Sequence, residues 1–92
     1  MTSFYDFLWE AVRNPELIIH YANEVGISPP PPPIDFYDRL EYVAVWTVEI
    51  LKIEKDDTIY WNSRCREAKR FFLDALEDLK AAGKLLRNFD LC

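Results

Sequence analysis

The sequence of 92 residues contains no glutamine and only two glycines and two cysteines. Cys65 and Cys92 are too few for the disulfide framework of a small secreted domain, and we expect free thiols. The two glycines, Gly26 and Gly83, stand far apart, which excludes a glycine-rich phosphate-binding loop. Depletion of glutamine beside plentiful Glu, Lys, Ile and Leu is a tendency of thermophilic proteins and suggests such a source.

Long hydrophobic runs and clustered positive charge are also scarce. The longest apolar run, from Tyr42 to Val48, is far shorter than the roughly 18 residues of a membrane-spanning helix. The N-terminal stretch MTSFYDFLWE lacks the basic start and the uninterrupted apolar stretch of a secretory signal. The net charge of −5 argues against extensive binding to nucleic acid or anionic membranes. We therefore expect a soluble cytoplasmic protein that does not bind membranes.

Apolar residues make up 50% of the chain, which is enough for one small core. Thr2 or Ser3 can cap a first helix, and Asp6 follows Ser3 at the spacing of a capping box. The residues predicted to form the buried face of this helix follow the helical period: Phe4, Phe7, Leu8, Ala11 and Val12.

A second short helix is predicted to follow at once. Asn14 before Pro15 predicts both the end of the first helix and the cap of the second. Gly26 is expected to close the second helix as a left-handed cap, with Ile27 packing back on its last turn. The predicted buried face consists of Leu17, Ile18, Tyr21, Ala22 and Val25.

Five consecutive prolines lie in the segment 28–34, ISPPPPPI in its local sequence context. Five residues of polyproline II span roughly 15 Å, enough to cross the end of a helical bundle. A ligand for a proline-binding domain is the alternative interpretation, but such ligands usually carry a nearby cation. The nearest cation after the prolines is Arg39, and no cation lies close to them on either side before it, so we interpret the segment as a rigid connector.

The stretch from Phe36 to Lys55 is rich in residues that favour strands. Its polar residues do not alternate as a strand requires, but they fall within one narrow stripe of a helix. Asp35 supplies a cap, with Asp38 three residues later. We predict a helix here, with a wide apolar face at the centre of the core.

The last helix is predicted from Asp56 or Asp57 to about Asn88, unless Gly83 ends it earlier. An apolar seam with heptad-like spacing runs along it: Cys65, Ala68, Phe72, Ala75 or Leu76, Leu79, Ala82 and Leu86. Such a helix would extend beyond its neighbours and expose apolar residues to water. We therefore predict a twofold homodimer through an interface of Leu79, Ala82, Leu85, Leu86 and Phe89.

Four cations cluster in the stretch RCREAKR, namely Arg64, Arg66, Lys69 and Arg70. With the aromatic residues Tyr60 and Trp61 just before them, they could hold a nucleic acid strand by phosphate contacts and stacking. The alternative is a solvated face that pairs with the chain's own excess of acidic residues. A basic patch for an acidic partner or nucleic acid is thus the second functional hypothesis.

The single histidine, His20, lies one helical turn from both Glu16 and Glu24. No second histidine or cysteine pair completes a transition-metal site, so we expect no bound metal and an exposed face. Cys65 falls on the apolar seam, where a small buried thiol is the ordinary outcome. We therefore predict no catalytic residues and no cofactor.

Together these patterns predict one all-α domain over residues 1–92, a bundle of three or four helices. Residues 1–27 form the short helix pair, 28–34 the connector, and 35–92 a long antiparallel helical hairpin. The expected function is a non-enzymatic adaptor or regulator that binds another protein and itself.

Overall fold

The computed structural model of the protein describes residues 3–83. Within that range the chain forms only helices and no strand, which confirms the predicted all-α fold. The four helices are α1 (Phe4–Arg13), α2 (Glu16–Glu24), α3 (Phe36–Glu54) and α4 (Thr58–Ala81).

The ends of α1 and the start of α2 follow the local sequence signals closely. The Oγ of Ser3 accepts a hydrogen bond from the Asp6 N–H at 3.1 Å, which is the predicted cap of α1. Asn14 ends α1 and donates its backbone N–H to the Glu10 carbonyl at 2.8 Å. The capping position of α2 falls on Pro15 rather than Asn14, because the Pro15 carbonyl accepts the first four-residue helical hydrogen bond, from the Ile19 N–H at 3.2 Å.

The end of α2 is the predicted left-handed cap. Gly26 has φ 94°, and its N–H donates to the Asn23 carbonyl at 3.1 Å. The Ile27 N–H donates to the Ala22 carbonyl at 3.0 Å, and the Ile27 side chain packs on the core. These two bonds form a Schellman motif, which satisfies carbonyls that the end of a helix leaves unpaired.

The proline connector is held by side chains of the helix that follows it. The Tyr42 hydroxyl donates to the Pro30 carbonyl at 2.6 Å, and the Arg39 Nε donates to the Pro33 carbonyl at 2.8 Å. Consecutive prolines have carbonyls but no backbone N–H groups, so their acceptors depend on side chains or water. The connector is therefore attached to α3 at two points.

The residues of α3 individually favour strands, but the spacing of its polar residues is that of a helix. The segment is a helix, as the spacing predicts. Asp35 caps it by accepting from the N–H groups of Tyr37 and Asp38 at 3.0 and 3.1 Å. The predicted wide buried face is confirmed, and it contacts α1, α2 and α4. Its buried residues are Leu40, Tyr42, Val43, Ala44, Thr47, Ile50 and Leu51.

Helix α4 ends at Ala81 instead of the predicted Asn88, and the alternative end at Gly83 is correct. Gly83 has φ 73°, and its N–H donates to the Lys80 carbonyl at 3.1 Å, as at a left-handed cap. The connection 55–57 is so short that α4 must run back along α3, which forms the predicted hairpin. The two helices make the most extensive helix–helix contact of the fold.

The core lies between this hairpin and the N-terminal pair, and α1 packs on α4 as well as on α2 and α3. The indole of Trp9 meets the ring of Phe71 edge-on, at 5.0 Å between centroids. The predicted seam of α4 is buried from Cys65 to Leu79, and Phe71 is a further fully buried residue beside it; Leu86 lies outside the described residues. Within residues 3–83, no helix combines the length and apolar character needed to cross a bilayer.

Candidate functional site

Three polar side chains meet between α2, α3 and the first turns of α4, and we call them the Arg64 cluster: Arg64, Glu54 and Tyr21. One terminal nitrogen of Arg64 lies 2.6 and 2.8 Å from the two carboxylate oxygens of Glu54. The Tyr21 hydroxyl donates to the same carboxylate, at 2.8 and 2.7 Å, and also accepts from Arg64. All three side chains are partly buried, so solvent screens their charges less than at an open surface.

Aromatic rings surround the guanidinium of the Arg64 cluster. The Arg64 Cζ lies 5.7 Å from the ring centroid of Phe4, 5.2 Å from Tyr21 and 5.3 Å from Tyr60. These distances are within the range of cation–π attraction. The rings come from α1, α2 and α4, so the side chain of Arg64 joins three helices.

The electrostatics of the cluster favour a charged Arg64 and a neutral Tyr21. Burial raises the pKa of the Tyr21 phenol, and its hydrogen bond to Glu54 raises it further. Burial is the largest influence on the pKa of the Arg64 guanidinium and lowers it, but the hydrogen bond to Glu54 and the electrostatic attraction of neighbouring groups together outweigh burial, so the net shift of the pKa is upward. The cluster therefore contains one stable ion pair, with a phenol as its third member.

Beside the cluster lies an open pocket of about 590 Å³, which we call the α1–α2–α4 pocket. Arg64 and Tyr60 form part of its wall. The rest of the apolar wall consists of Phe4, Phe7, Leu17 and Tyr21. The helical pattern of the sequence predicts that Phe4, Phe7 and Tyr21 are buried, whereas the structure leaves them partly exposed at this wall.

The rim of the α1–α2–α4 pocket carries carboxylates. Glu67 lines it and accepts the Phe4 N–H at 3.2 Å. Glu24 also lines it, 3.3 Å from the Nε2 of His20, and both of these side chains are exposed. In the part of the chain that the structure describes, no group of His, Cys, Asp and Glu is arranged to hold a metal ion.

The four cations predicted as a basic patch do not share one surface. Arg64 is turned into the Arg64 cluster, about 160° around α4 from Arg66 at 100° per residue. The Arg70 guanidinium lies 4.4 Å from the ring centroid of Tyr5, whose hydroxyl donates to Asp74. Arg66 is exposed and Lys69 is partly buried. The side chains of Arg64 and Arg70 are thus engaged within the chain.

The residues considered for catalysis are not brought together. The Cys65 thiol is almost completely buried, as its place on the seam predicts. His20 is exposed on α2, and the residue that its imidazole meets is Glu24. A cysteine nucleophile requires a base within hydrogen-bond reach, so this pair does not have the geometry of a catalytic dyad.

The predicted dimer interface lies mostly outside the described residues. Leu85, Leu86 and Phe89 follow Gly83, and the interface there stays a prediction. Leu79 is completely buried among the chain's own helices, so it belongs to the core rather than to an exposed interface. Ala82 is partly exposed at the end of α4.

A second surface stands out where α3 meets α4, and we call it the apolar tip: Ile53, Ile59 and Tyr60. The exposed fractions are 45% for Ile53, 81% for Ile59 and 58% for Tyr60. Ile53 and Tyr60 share a small pocket of about 240 Å³ with Asp56 and Asp57. The tip is therefore an exposed apolar surface with acidic residues beside it.

Sequence reasoning missed Glu54 and the polar role of Tyr21. The angular position of Arg64 on α4 was an available signal, since it separates Arg64 from Arg66, Lys69 and Arg70. No helical spacing relates Arg64 to its partners, because they belong to other helices: Tyr21 is 43 residues away along the chain, and Glu54 is 10 residues away across the hairpin connection. Comparisons with known protein families, curated proteins and solved structures find no match to this chain.

Proposed function

We propose that this chain is a non-enzymatic adaptor or regulator that binds another protein through the apolar tip. The observation that carries the proposal is the exposure of Ile53, Ile59 and Tyr60 at one end of the α3–α4 hairpin. Exposed single apolar residues are ordinary, but several large exposed apolar residues around one turn of a hairpin are typical of interaction sites.

Burial of the apolar tip against a partner would be favourable. Fully burying a large aliphatic side chain stabilises a complex by about 1.5–3 kcal/mol, before the costs of association are subtracted. Tyrosine adds a rigid amphipathic surface of the kind enriched at interfaces. Asp56 and Asp57 lie beside the tip, so a complementary partner carries basic residues around an apolar centre.

The placement of the cations supports a protein partner over nucleic acid. Arg64 is bound to Glu54, and Arg70 lies over the ring of Tyr5. A phosphate backbone would have to compete with these internal contacts, in a chain with a net charge of −5. Burial of Cys65 away from the exposed His20 likewise supports a function without catalysis.

The proposal is tested by comparing two charged substitutions at exposed apolar residues of α4. Ile59→Asp places a charge in the apolar tip, and Leu73→Asp places the same charge elsewhere, at a residue that is 66% exposed. Each variant and the native chain are immobilised, and proteins retained from an extract of the source cells, with and without nuclease treatment, are quantified by mass spectrometry.

A partner of the apolar tip is retained by the native chain and by Leu73→Asp, and is reduced at least about tenfold by Ile59→Asp, since one desolvated charge costs over 1.4 kcal/mol. Circular dichroism confirms that both variants keep their helices. Retention that is unchanged by Ile59→Asp, or that disappears on nuclease treatment, would contradict the proposal.

A further inference from the structure

The α1–α2–α4 pocket has the size and walls of a small-molecule site. Its volume of about 590 Å³ falls within the usual range for ligand pockets. The rings of Phe4 and Phe7 stack at 5.9 Å between centroids, and Tyr21 meets both rings edge-on. These contacts keep the aromatic wall in one arrangement without a ligand.

The aromatic residues of this wall already bind a cation from the chain itself. The Arg64 guanidinium lies 5.2–5.7 Å from the ring centroids of Phe4, Tyr21 and Tyr60. Phe7 and Leu17 extend the same wall, and Phe7 has no such contact with a guanidinium of residues 3–83. The neighbouring part of the wall can thus attract a second cation by the same cation–π interaction that Arg64 makes.

The charges around the pocket determine whether it attracts a cationic or an anionic ligand. Arg64 is neutralised by Glu54, whose carboxylate oxygen lies 2.6 Å away. Two further carboxylates, Glu67 and Glu24, line the pocket against one exposed imidazole, that of His20. The balance is negative, so an anionic ligand would be repelled and a cationic one attracted.

We infer that the α1–α2–α4 pocket binds a small organic cation with an apolar shell, of the quaternary ammonium or alkylguanidinium class. The cation lies against the faces of the aromatic wall, and Glu67 and Glu24 balance its charge. A compact inorganic cation is not selected, because it is strongly hydrated and gains little from aromatic rings. The inference does not depend on the proposed partner of the apolar tip.

Three probes of nearly the same shape and different charge test this inference. Choline is the cation, 3,3-dimethylbutanol is its neutral isostere, and 3,3-dimethylbutyrate is the anion. Each is titrated to tens of millimolar at constant ionic strength, and binding is followed by NMR shifts of the Phe4, Phe7 and Tyr21 resonances. Choline is expected to bind about fivefold more tightly than the isostere, and the anion more weakly than both.

Substitution of one carboxylate of the α1–α2–α4 pocket tests whether choline binds there. Glu67→Gln removes the charge but keeps an oxygen that can accept the Phe4 N–H, and it is expected to weaken choline binding about fivefold. Binding of the neutral isostere stays unchanged. Glu77→Gln, at an exposed residue of α4 outside the pocket, is the matched control and leaves choline binding unchanged.

Several outcomes would overturn the inference: no shifts with choline, equal binding of all three probes, or tightest binding of the anion. An effect of Glu77→Gln as large as that of Glu67→Gln would also overturn it. Displacement of choline by N-acetyl-arginine amide would identify a protein side chain as a source of the same chemistry. Absence of displacement would assign the site to free quaternary ammonium compounds.

Discussion

Among individual residues, Tyr21 makes the contacts that couple α2 to the hairpin. Its hydroxyl donates to Glu54 of α3 and accepts from Arg64 of α4, and its ring contacts the guanidinium. Removing one member of a partly buried polar group leaves the others less well satisfied. The ion pair between Glu54 and Arg64 survives without the phenol, so Tyr21 can be tested separately.

Tyr21→Phe is expected to destabilise the fold by about 1 kcal/mol at neutral pH, the usual net value of a lost hydrogen bond. The raised pKa of Tyr21 makes this difference depend on pH. The native contribution is fully present below pH ~10, the pKa of an unfolded tyrosine. It falls as pH rises further, because the unfolded chain loses the Tyr21 proton first.

Urea unfolding of both proteins at neutral pH and at several alkaline pH values measures the difference. The gap between native and Tyr21→Phe should narrow steadily above pH ~10. The other tyrosines are common to both proteins, so their titration cancels in the comparison. A gap that stays constant across the alkaline range would mean that the environment of Tyr21 does not favour its neutral form.

At the scale of helices, start and end signals in the sequence decide most of the structure. Serine and aspartate caps, the proline at the start of α2 and the left-handed glycines act within a few residues, so they can be read locally. Gly26 is the sharpest case, because φ 94° is strained for any residue with a Cβ.

Gly26→Ala is expected to lower the free energy of unfolding by about 1–2 kcal/mol, the cost of a left-handed conformation. Apart from Gly26 and its two neighbours in the chain, no atom lies within 4 Å of the position a Cβ would take, so the loss comes from the backbone and not from crowding. Asn23→Ala, at an exposed residue inside α2, is the control and should change stability by less than about 0.5 kcal/mol. Equal losses in the free energy of unfolding from both substitutions would show that the left-handed cap at Gly26 makes no specific contribution to stability.

Contacts between helices were far less predictable than the helices themselves. Periodicity identified the buried faces of α2 and α3 and the seam of α4, but it does not say which helix covers each face. The packing of Trp9 on Phe71 and the approach of Glu54 to Arg64 depend on the positions of entire helices. The α1–α2–α4 pocket is a gap left between three helices, and a gap has no pattern of its own in the sequence.

At the scale of the whole molecule, the two proposed interaction regions belong to different parts of the chain. The apolar tip is at the start of α4, while the predicted dimer residues follow its end at Gly83. A helix of 24 residues is about 36 Å long, close to the longest dimension of 35 Å. The tip and the predicted dimer residues after Gly83 are therefore separated along the chain by most of α4.

Because the two regions are separate in the chain, substitutions in the predicted dimer interface are expected to change the native mass, and substitutions in the apolar tip are not. The native chain is expected to be a dimer at micromolar concentration by light scattering, at both low and high salt, because apolar contacts do not weaken with screening. The triple variant Leu85→Ser, Leu86→Ser, Phe89→Ser should be monomeric and keep its helices, since Leu79 and the core are untouched. Ile59→Asp and the control Leu73→Ser should remain dimeric. A native monomer would refute self-association, and a monomeric Ile59→Asp variant would place the dimer interface at the apolar tip instead.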